Sequence, residues 1–209
     1  MSSAGYKDFG YTDAEAGHMH ARFLPHVLRF AGQLQPGMRV LDVGCGNGFT
    51  CGEFLRRGCQ VVGIDLSCQG VEIARRMYPS GRFEVLPADA KLLENLTETP
   101  FDLIVSTEVV EHLYAPREYI GGCFDALKSG GRFICTTPYH GYLKNLAIAI
   151  AGKWDSHANP LWDGGHIKHW SRRTLSLLLE EAGFVNLQFR GSGRIPRLWM
   201  TMVMCGDKP

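Results

Sequence analysis

Short runs of apolar, often β-branched residues alternate along the chain with segments whose apolar residues recur at helical spacing. Five of these runs have the length and composition of buried strands: residues 39–43, 60–65, 83–86, 101–106 and 132–137. Helices are predicted between several of them: residues 49–57, a helix capped by Ser67, and residues 117–127. Strands that alternate with helices in this way are typical of a parallel sheet with crossover helices.

The segments on either side of this pattern are less regular. Before the first strand, residues 14–34 predict a helix that Pro25 interrupts. After the fifth strand, residues 138–170 have only weak periodicity. Because long irregular segments inside compact domains are usually functional, we interpret this one as an insertion that covers a binding site.

Regular structure returns at Ser171, which has the character of a helix N-cap, and that helix ends at Gly183. Two further strands are predicted at residues 185–190 and 198–205. The chain is therefore expected to form one α/β domain over residues 1–209. Within it we expect an N-terminal helical cap at residues 1–36 and an insertion or lid at residues 139–170.

Composition and charge exclude several classes of protein. With 209 residues, 45% of them hydrophobic, the chain has the composition of a globular protein. Its net charge of +1 provides no overall positive field, so we do not expect a polyanion-binding protein. The seven cysteines form no C-x-x-C pair, no secretory signal is recognisable, and no apolar stretch is long enough to span a bilayer. We expect a cytoplasmic location.

Glycines and acidic residues coincide with the carboxyl ends of the first three predicted strands. The loop Gly44-Cys45-Gly46-Asn47-Gly48 follows the first strand, which contains Asp42. Asp65 ends the second strand, and Asp89 and Ala90 follow the third. An acid in the position of Asp65 can accept hydrogen bonds from ribose hydroxyls. Because the glycine spacing is not that of a pyrophosphate-binding loop, the pattern favours an adenosine without phosphates.

On these residues, from Val40 to Pro138, the chain resembles the class I S-adenosylmethionine-dependent methyltransferases. The resemblance implies an α/β, Rossmann-like, seven-stranded, mostly parallel sheet with helices on both faces and a reversed last strand. It also implies that S-adenosylmethionine is bound by residues in the strand-end loops and on the first helix: Arg22, Asp42, Gly44, Cys45, Gly46, Asp65, Leu66, Asp89, Ala90 and Thr107.

A second group of polar residues follows the fourth strand. If a helix begins there, Glu108, Glu111 and His112 lie at positions i, i+3 and i+4 on one face, at the same edge of the sheet. Two carboxylates and an imidazole are good ligands for a divalent cation. The alternative is structural, with a surface pair of glutamates near a helix N-terminus and a packed histidine.

This Glu-x-x-Glu-His motif resembles those of the ubiquinone-biosynthesis O-methyltransferases and of the plant small-RNA 2′-O-methyltransferase. In both groups the motif is associated with a divalent metal that contacts the hydroxyls of the acceptor. The RNA enzyme has a further histidine in a context that matches residues 166–172 here. The resemblance therefore implies that Glu108, Glu111, His112 and His166 bind Mg²⁺, or else Mn²⁺, Co²⁺ or Fe²⁺.

The function that we expect is metal-assisted O-methylation of a small catechol-, polyol- or sugar-like molecule. Without metal, a general base would be required, and the candidates are His112, His140 and His169. Three alternatives stay open: a metal-independent N-, S- or carboxyl-methyltransferase, an RNA 2′-O-methyltransferase, and a non-catalytic cofactor-binding protein. We expect a small-molecule acceptor and no nucleic-acid partner, with peripheral membrane contact by the insertion as a secondary expectation.

Overall fold

A seven-stranded sheet runs through the structure, a computed structural model that describes residues 10–17 and 19–209. Its strands are β1 (Arg39–Val43), β2 (Gln60–Asp65), β3 (Arg82–Val85), β4 (Phe101–Thr107), β5 (Leu127–Pro138), β6 (Val185–Ser192) and β7 (Thr201–Asp207). The helices are α1 (His20–Ala31), α2 (Phe49–Leu55), α3 (Cys68–Met77), α4 (Leu92–Leu96), α5 (Pro116–Asp125), α6 (Tyr142–Ile150), α7 (Trp154–His157) and α8 (Arg172–Glu181).

The strand order is β3-β2-β1-β4-β5-β7-β6. The pairs from β3 to β5 are parallel, whereas β7 is antiparallel to both of its neighbours. The order reverses direction between β1 and β4, and ligands of open α/β sheets bind at the carboxyl ends of the strands beside such a reversal. The predicted fold, a Rossmann-like and mostly parallel seven-stranded sheet, is confirmed.

Helices cover both faces of the sheet, as predicted. One apolar cluster joins the sheet to α4, α5 and α8, and it includes Leu96, Ile120 and Leu179. The other joins the sheet to α1, α2 and α3, and it includes Phe23 and Phe54. Because both faces are buried, the central strands contain runs of consecutive apolar residues, such as residues 103–105 in β4.

Several predicted elements need correction at their ends or interiors. Pro25 lies inside α1 without interrupting it, and the helical hydrogen bond that its missing N–H removes is the one to the carbonyl oxygen of Ala21, an exposed residue. The fifth strand, predicted at residues 132–137, begins earlier, at Leu127, and its pairing with β4 shifts register between Phe101 and Leu103. By contrast, the predicted caps at Ser67 and Ser171 are present, the second as a capping box.

The insertion after β5 contains two short helices, α6 and α7, which its weak periodicity did not predict. Apolar side chains on it are exposed, among them Tyr142, Ile150 and Leu161. Across the part of the chain that the structure describes, no helix combines the length and the hydropathy needed to cross a membrane.

Candidate active site

The glycine loop after β1 is held against the end of β2 by backbone hydrogen bonds. The N–H groups of Gly44 and Cys45 both donate to the carbonyl oxygen of Ile64, at 2.8 and 2.9 Å. Gly44 and Gly46 have φ angles of +79° and +51°, and a Cβ atom at Gly44 would clash with Val109. The loop therefore needs glycine both for its backbone conformation and for its close contacts.

Asp65 and Asp89 lie beside this loop, at the carboxyl ends of β2 and β3. The carboxylate of Asp65 accepts hydrogen bonds from the N–H groups of Gly46 (2.8 Å) and Ser67 (2.7 Å). Both acids are partly exposed, as are the neighbouring Leu66 and Ala90. A partly exposed carboxylate at this position presents acceptor oxygens beside the loop.

Asp42, another predicted cofactor residue, is instead enclosed beneath the loop. Its side chain is fully buried; one oxygen accepts a hydrogen bond from the Cys51 thiol (3.2 Å) and the other has no partner. Burial raises the pKa of Asp42 to about 7. Thr107 ends β4 at the same edge, and Arg22 lies on α1, where its carbonyl accepts a hydrogen bond from Ser192.

The N-terminal segment crosses the glycine loop, which the sequence did not suggest. The Asn47 side-chain amide donates to the carbonyl oxygens of Asp13 (2.9 Å) and Glu15 (3.0 Å). The Tyr11 ring lies so close to Gly46 and to a second glycine on α3 that a Cβ atom at either position would clash with it. The only signal in the sequence was an amide side chain in the middle of a glycine loop.

The helix predicted after β4 is only a 3-10 turn, Val110–His112. Glu108 precedes it in a left-handed conformation, with a φ angle of +57°. The carboxylate of Glu108 accepts hydrogen bonds from the hydroxyls of Thr136 (2.7 Å) and Thr201 (3.1 Å). The expected i, i+3, i+4 arrangement is therefore absent, because the backbone at Glu108 is not helical.

Glu111, His112 and His166 come together as a carboxylate–histidine cluster, with one potential ligand atom of each within 4.8 Å of the others. Oε1 of Glu111 lies 4.0 Å from Nε2 of both histidines. Glu111 is 1% exposed, and neither of its carboxylate oxygens has a hydrogen-bond partner. Nδ1 of His112 lies 2.8 Å from the carbonyl oxygen of Gly164, so it donates there and leaves the Nε2 lone pair facing Glu111.

The ionisation of this cluster is shaped by burial. Burial, followed by the charge of Glu108, raises the pKa of Glu111 well above its usual range. Burial also lowers the pKa of His112, and burial with the nearby His112 lowers the pKa of His166 to about 4. Neutral imidazoles beside a buried carboxylate without partners are the donor set that a divalent cation requires, so these residues fit a metal.

The segment that carries His166 is attached to the turn after β4 by hydrogen bonds. The N–H groups of Ile167 and Lys168 donate to the carbonyl oxygen of Glu111, at 2.9 and 3.0 Å. The indole N–H of Trp170 donates to the carbonyl oxygen of Val110 (3.2 Å). Backbone atoms thus bring together ligands that are distant in sequence.

A second group of side chains, the imidazole–lysine group, consists of His140, Lys144, His157 and His169. The ring centroid of His140 is 4.5 Å from that of His169 and 5.4 Å from that of His157. The structure therefore places the base candidates His140 and His169 apart from His112, which belongs to the carboxylate–histidine cluster. Lys144, 4% exposed, was not singled out from the sequence.

Comparison with known proteins decides the family. A family model described as a methyltransferase domain matches residues 16–188. The chain belongs to the SAM-dependent methyltransferases. This methyltransferase is 33% identical over 162 residues to the ubiquinone biosynthesis O-methyltransferase of Dinoroseobacter shibae, covering 74% of the chain and 63% of that protein. The protein of the same name from Cereibacter sphaeroides is 31% identical over 174 residues, covering 82% and 70%.

Several other matches are shorter, and the chain spans about half to two thirds of the length of the first curated relatives that it matches. The Bradyrhizobium ubiquinone biosynthesis O-methyltransferase, for example, is 34% identical over 116 residues, covering 56% of this chain and 46% of that protein. Among solved structures, the magnesium protoporphyrin IX methyltransferase of Synechocystis PCC 6803, which has bound SAH, matches with a TM-score of 0.67 at 18% identity. It covers 89% of this chain and 80% of that protein, and it supports the class I fold.

Proposed function

We propose that this methyltransferase transfers a methyl group from S-adenosylmethionine to a hydroxyl oxygen of a small acceptor, with a divalent cation bound by Glu111, His112 and His166. The observation that carries the proposal is the environment of Glu111, whose buried carboxylate faces two imidazoles and has no hydrogen-bond partner. A buried charge is costly unless it is paired, and a bound cation would pair it. The O-methyltransferase names of the relatives support oxygen as the acceptor atom.

The residues at the glycine loop would hold the methyl donor. Asp65 is positioned to accept hydrogen bonds from ribose hydroxyls, and Asp89 from an adenine amine. The backbone of Gly44 and Gly46 allows close approach of the ligand. When bound, the donor supplies a methyl group on a cationic sulfur, and the cation makes an acceptor hydroxyl more acidic and fixes its orientation.

The chain's own contribution at the other end is to hold the ligands in place and to keep the two imidazoles unprotonated, whereas Glu111, whose pKa burial raises, would release its proton when a cation binds. The lowered pKa values of His112 and His166 keep both imidazoles neutral at neutral pH. A set of one carboxylate and two imidazoles suits Mn²⁺, Co²⁺ or Fe²⁺ as well as Mg²⁺. Glu108 stays a predicted fourth ligand, and it would have to give up its contacts with Thr136 and Thr201 to act as one.

The insertion would cover the acceptor. Exposed apolar side chains on α6 and beyond it, including Tyr142, Ile150 and Leu161, favour an acceptor with a hydrophobic or aromatic part. This supports a catechol-like acceptor over a sugar.

The proposal is tested by three measurements on the purified full chain. We expect S-adenosylhomocysteine to bind in calorimetry, Mn²⁺ or Mg²⁺ to raise the unfolding temperature, and catechols to be methylated in a reaction that a chelator abolishes. Methylation that the chelator leaves unchanged would favour the metal-independent alternative, with His140 or His169 as the base. Donor binding without turnover of any acceptor would favour a non-catalytic protein.

A further inference from the structure

The imidazole–lysine group contains a buried positive charge that has no ion-pair partner in the part of the chain that the structure describes. Lys144 is 4% exposed, and its ammonium donates to the carbonyl oxygens of Tyr139 (2.7 Å) and Met200 (3.4 Å). Among the described residues, no carboxylate oxygen lies within 4.0 Å of it. An ammonium has three N–H donors, so at least one is left for a ligand. A buried cation without an ion-pair partner is costly, and an anionic ligand would offset that cost.

The surroundings of Lys144 are rich in donors and cations. Burial and the charge of Arg194 lower the pKa of Lys144 to about 8, with Glu108 acting in the opposite direction, so the amine is largely protonated at neutral pH. Burial, followed by the nearby cationic groups Lys144, His169 and His157, lowers the pKa of His140 to about 3, and burial followed by cationic groups also lowers the pKa of His157. The carboxylate of Glu108 already accepts two hydroxyl hydrogen bonds.

Access and proximity to the reacting end of the site are also present. His157, His169 and Arg194 are exposed, so this group extends from solvent to the buried ammonium. The backbone N–H of His140 donates to the carbonyl oxygen of Trp170 (2.9 Å), on the same short segment as His166 and His169, so the imidazole–lysine group borders the carboxylate–histidine cluster. A molecule whose hydroxyls reach that cluster can therefore place another group here.

We propose that the imidazole–lysine group and Arg194 form an anion-binding subsite, and that the methyl acceptor has a carboxylate or phosphate group that binds there. This inference rests on the proposed function, since it names the chemical class of the acceptor of the same site. It adds a selection rule, because a neutral catechol would leave the Lys144 charge without a partner.

The experiment compares three ligands that share one dihydroxyphenyl ring: 3,4-dihydroxybenzyl alcohol, 3,4-dihydroxybenzoate and 3,4-dihydroxybenzyl phosphate. Dissociation constants are measured by calorimetry on the full chain saturated with S-adenosylhomocysteine and Mg²⁺. We expect at least one anion to bind about tenfold or more tightly than the alcohol, since a charge-assisted hydrogen bond in a buried site contributes at least this much. The tighter of the two anions identifies the group as carboxylate or phosphate.

Substitutions identify the residues that cause the preference for an anionic ligand. Lys144→Met should reduce the difference between anion and alcohol to about twofold, whereas Lys153→Met, an exposed lysine on the same insertion, should keep it. If Lys144→Met no longer binds S-adenosylhomocysteine, the exposed variants Arg194→Gln and His169→Gln replace it, and each should weaken the preference about threefold or more.

Equal affinities of the three ligands for the wild type, or no measurable binding of either anion, would overturn the subsite. A preference that survives Lys144→Met in protein that still binds S-adenosylhomocysteine would do the same. If the alcohol is methylated without any preference for an anion, the subsite is wrong and the proposed function stands. If S-adenosylhomocysteine does not bind the wild type, the proposed function itself fails.

Discussion

The two ends of the site are built in different ways. At the glycine-loop end, Gly44, Gly46 and Asp65 lie close together in sequence, and backbone N–H groups already satisfy part of the Asp65 carboxylate. At the histidine end, Glu111 and His166 are far apart in sequence, and the Glu111 carboxylate has no hydrogen-bond partner. The glycine-loop end therefore leaves one buried carboxylate oxygen, on Asp42, without a hydrogen-bond partner, whereas the histidine end leaves both oxygens of Glu111 without one, facing two imidazoles that a cation would join.

The largest effect that this difference predicts is at Glu111. Glu111→Gln should lower turnover more than about 100-fold, because it removes the anionic metal ligand. Without added metal, its unfolding temperature should not fall, since the change removes a buried charge. Steady-state kinetics and thermal unfolding with and without Mn²⁺ measure both effects.

The exposed Glu118→Gln on α5 is the matched control and should behave as the wild type. Wild-type turnover in Glu111→Gln would contradict the metal-binding role.

At the glycine-loop end, Asp65→Ala should raise the dissociation constant of S-adenosylhomocysteine about 10- to 100-fold, because hydrogen bonds to a carboxylate are lost. The metal-induced rise in unfolding temperature should persist, which separates the two ends. Calorimetry and thermal unfolding test this, with exposed Asp125→Ala as the control. An unchanged affinity for S-adenosylhomocysteine would sink the assignment of Asp65.

His140, in the imidazole–lysine group, should make the stability of the protein depend on pH. Because burial lowers the folded-state pKa of His140 from 6.5 to about 3, the unfolded chain binds the extra proton first as the pH falls. The contribution of neutral His140 is therefore present above pH 6.5 and is lost progressively towards pH 3. Between pH 7 and 4.5, the wild type should lose roughly 2 kcal/mol of unfolding free energy more than His140→Gln.

Urea unfolding at both pH values measures this difference, and His20→Gln, on α1 and outside the imidazole–lysine group, serves as the control. If wild type and His140→Gln lose equal stability on acidification, His140 is not protected from protonation by the fold.

The smallest expected effect concerns the N-terminal segment. Asn47→Ala removes two hydrogen bonds to residues 13–15, so the local stability of this segment should fall by about 1 kcal/mol. The segment should therefore become more sensitive to proteolysis. Limited proteolysis followed by mass spectrometry detects the change. Asn159→Ala, in the insertion, is a matched amide deletion that should leave cleavage near residue 13 unchanged.

The sequence predicted the glycine-loop end well, because the signals there are local. The bounds of β1 and β2 and the cap at Ser67 follow from residues that are adjacent or one turn apart. The fold class followed from the same alternation of strands and helices. Pro25 was misread because its helical context, with an exposed carbonyl one turn earlier, is not visible as periodicity.

The histidine end was predicted in its members rather than in its arrangement. The resemblance named Glu108, Glu111, His112 and His166 together, but the helical face predicted for the first three is absent, because the backbone at Glu108 is left-handed. A left-handed glutamate has no sequence signature, since the hydroxyls of Thr136 and Thr201 hold its side chain from distant strands. Lys144 was missed for a related reason, because burial of a lysine depends on tertiary packing.

The hydrogen bonds that attach residues 167 and 168 to the Glu111 carbonyl fix the position where the insertion after β5 ends. The region between β5 and this attachment can therefore be exchanged as one segment. The attachment consists of backbone hydrogen bonds, and at the other boundary Lys144 is the side chain of this region that donates to the Tyr139 carbonyl next to the end of β5. Exchanging residues 141–163 among relatives, with this attachment and His166 left in place, should therefore change the acceptor specificity of the enzyme without changing the residues of its metal-binding cluster.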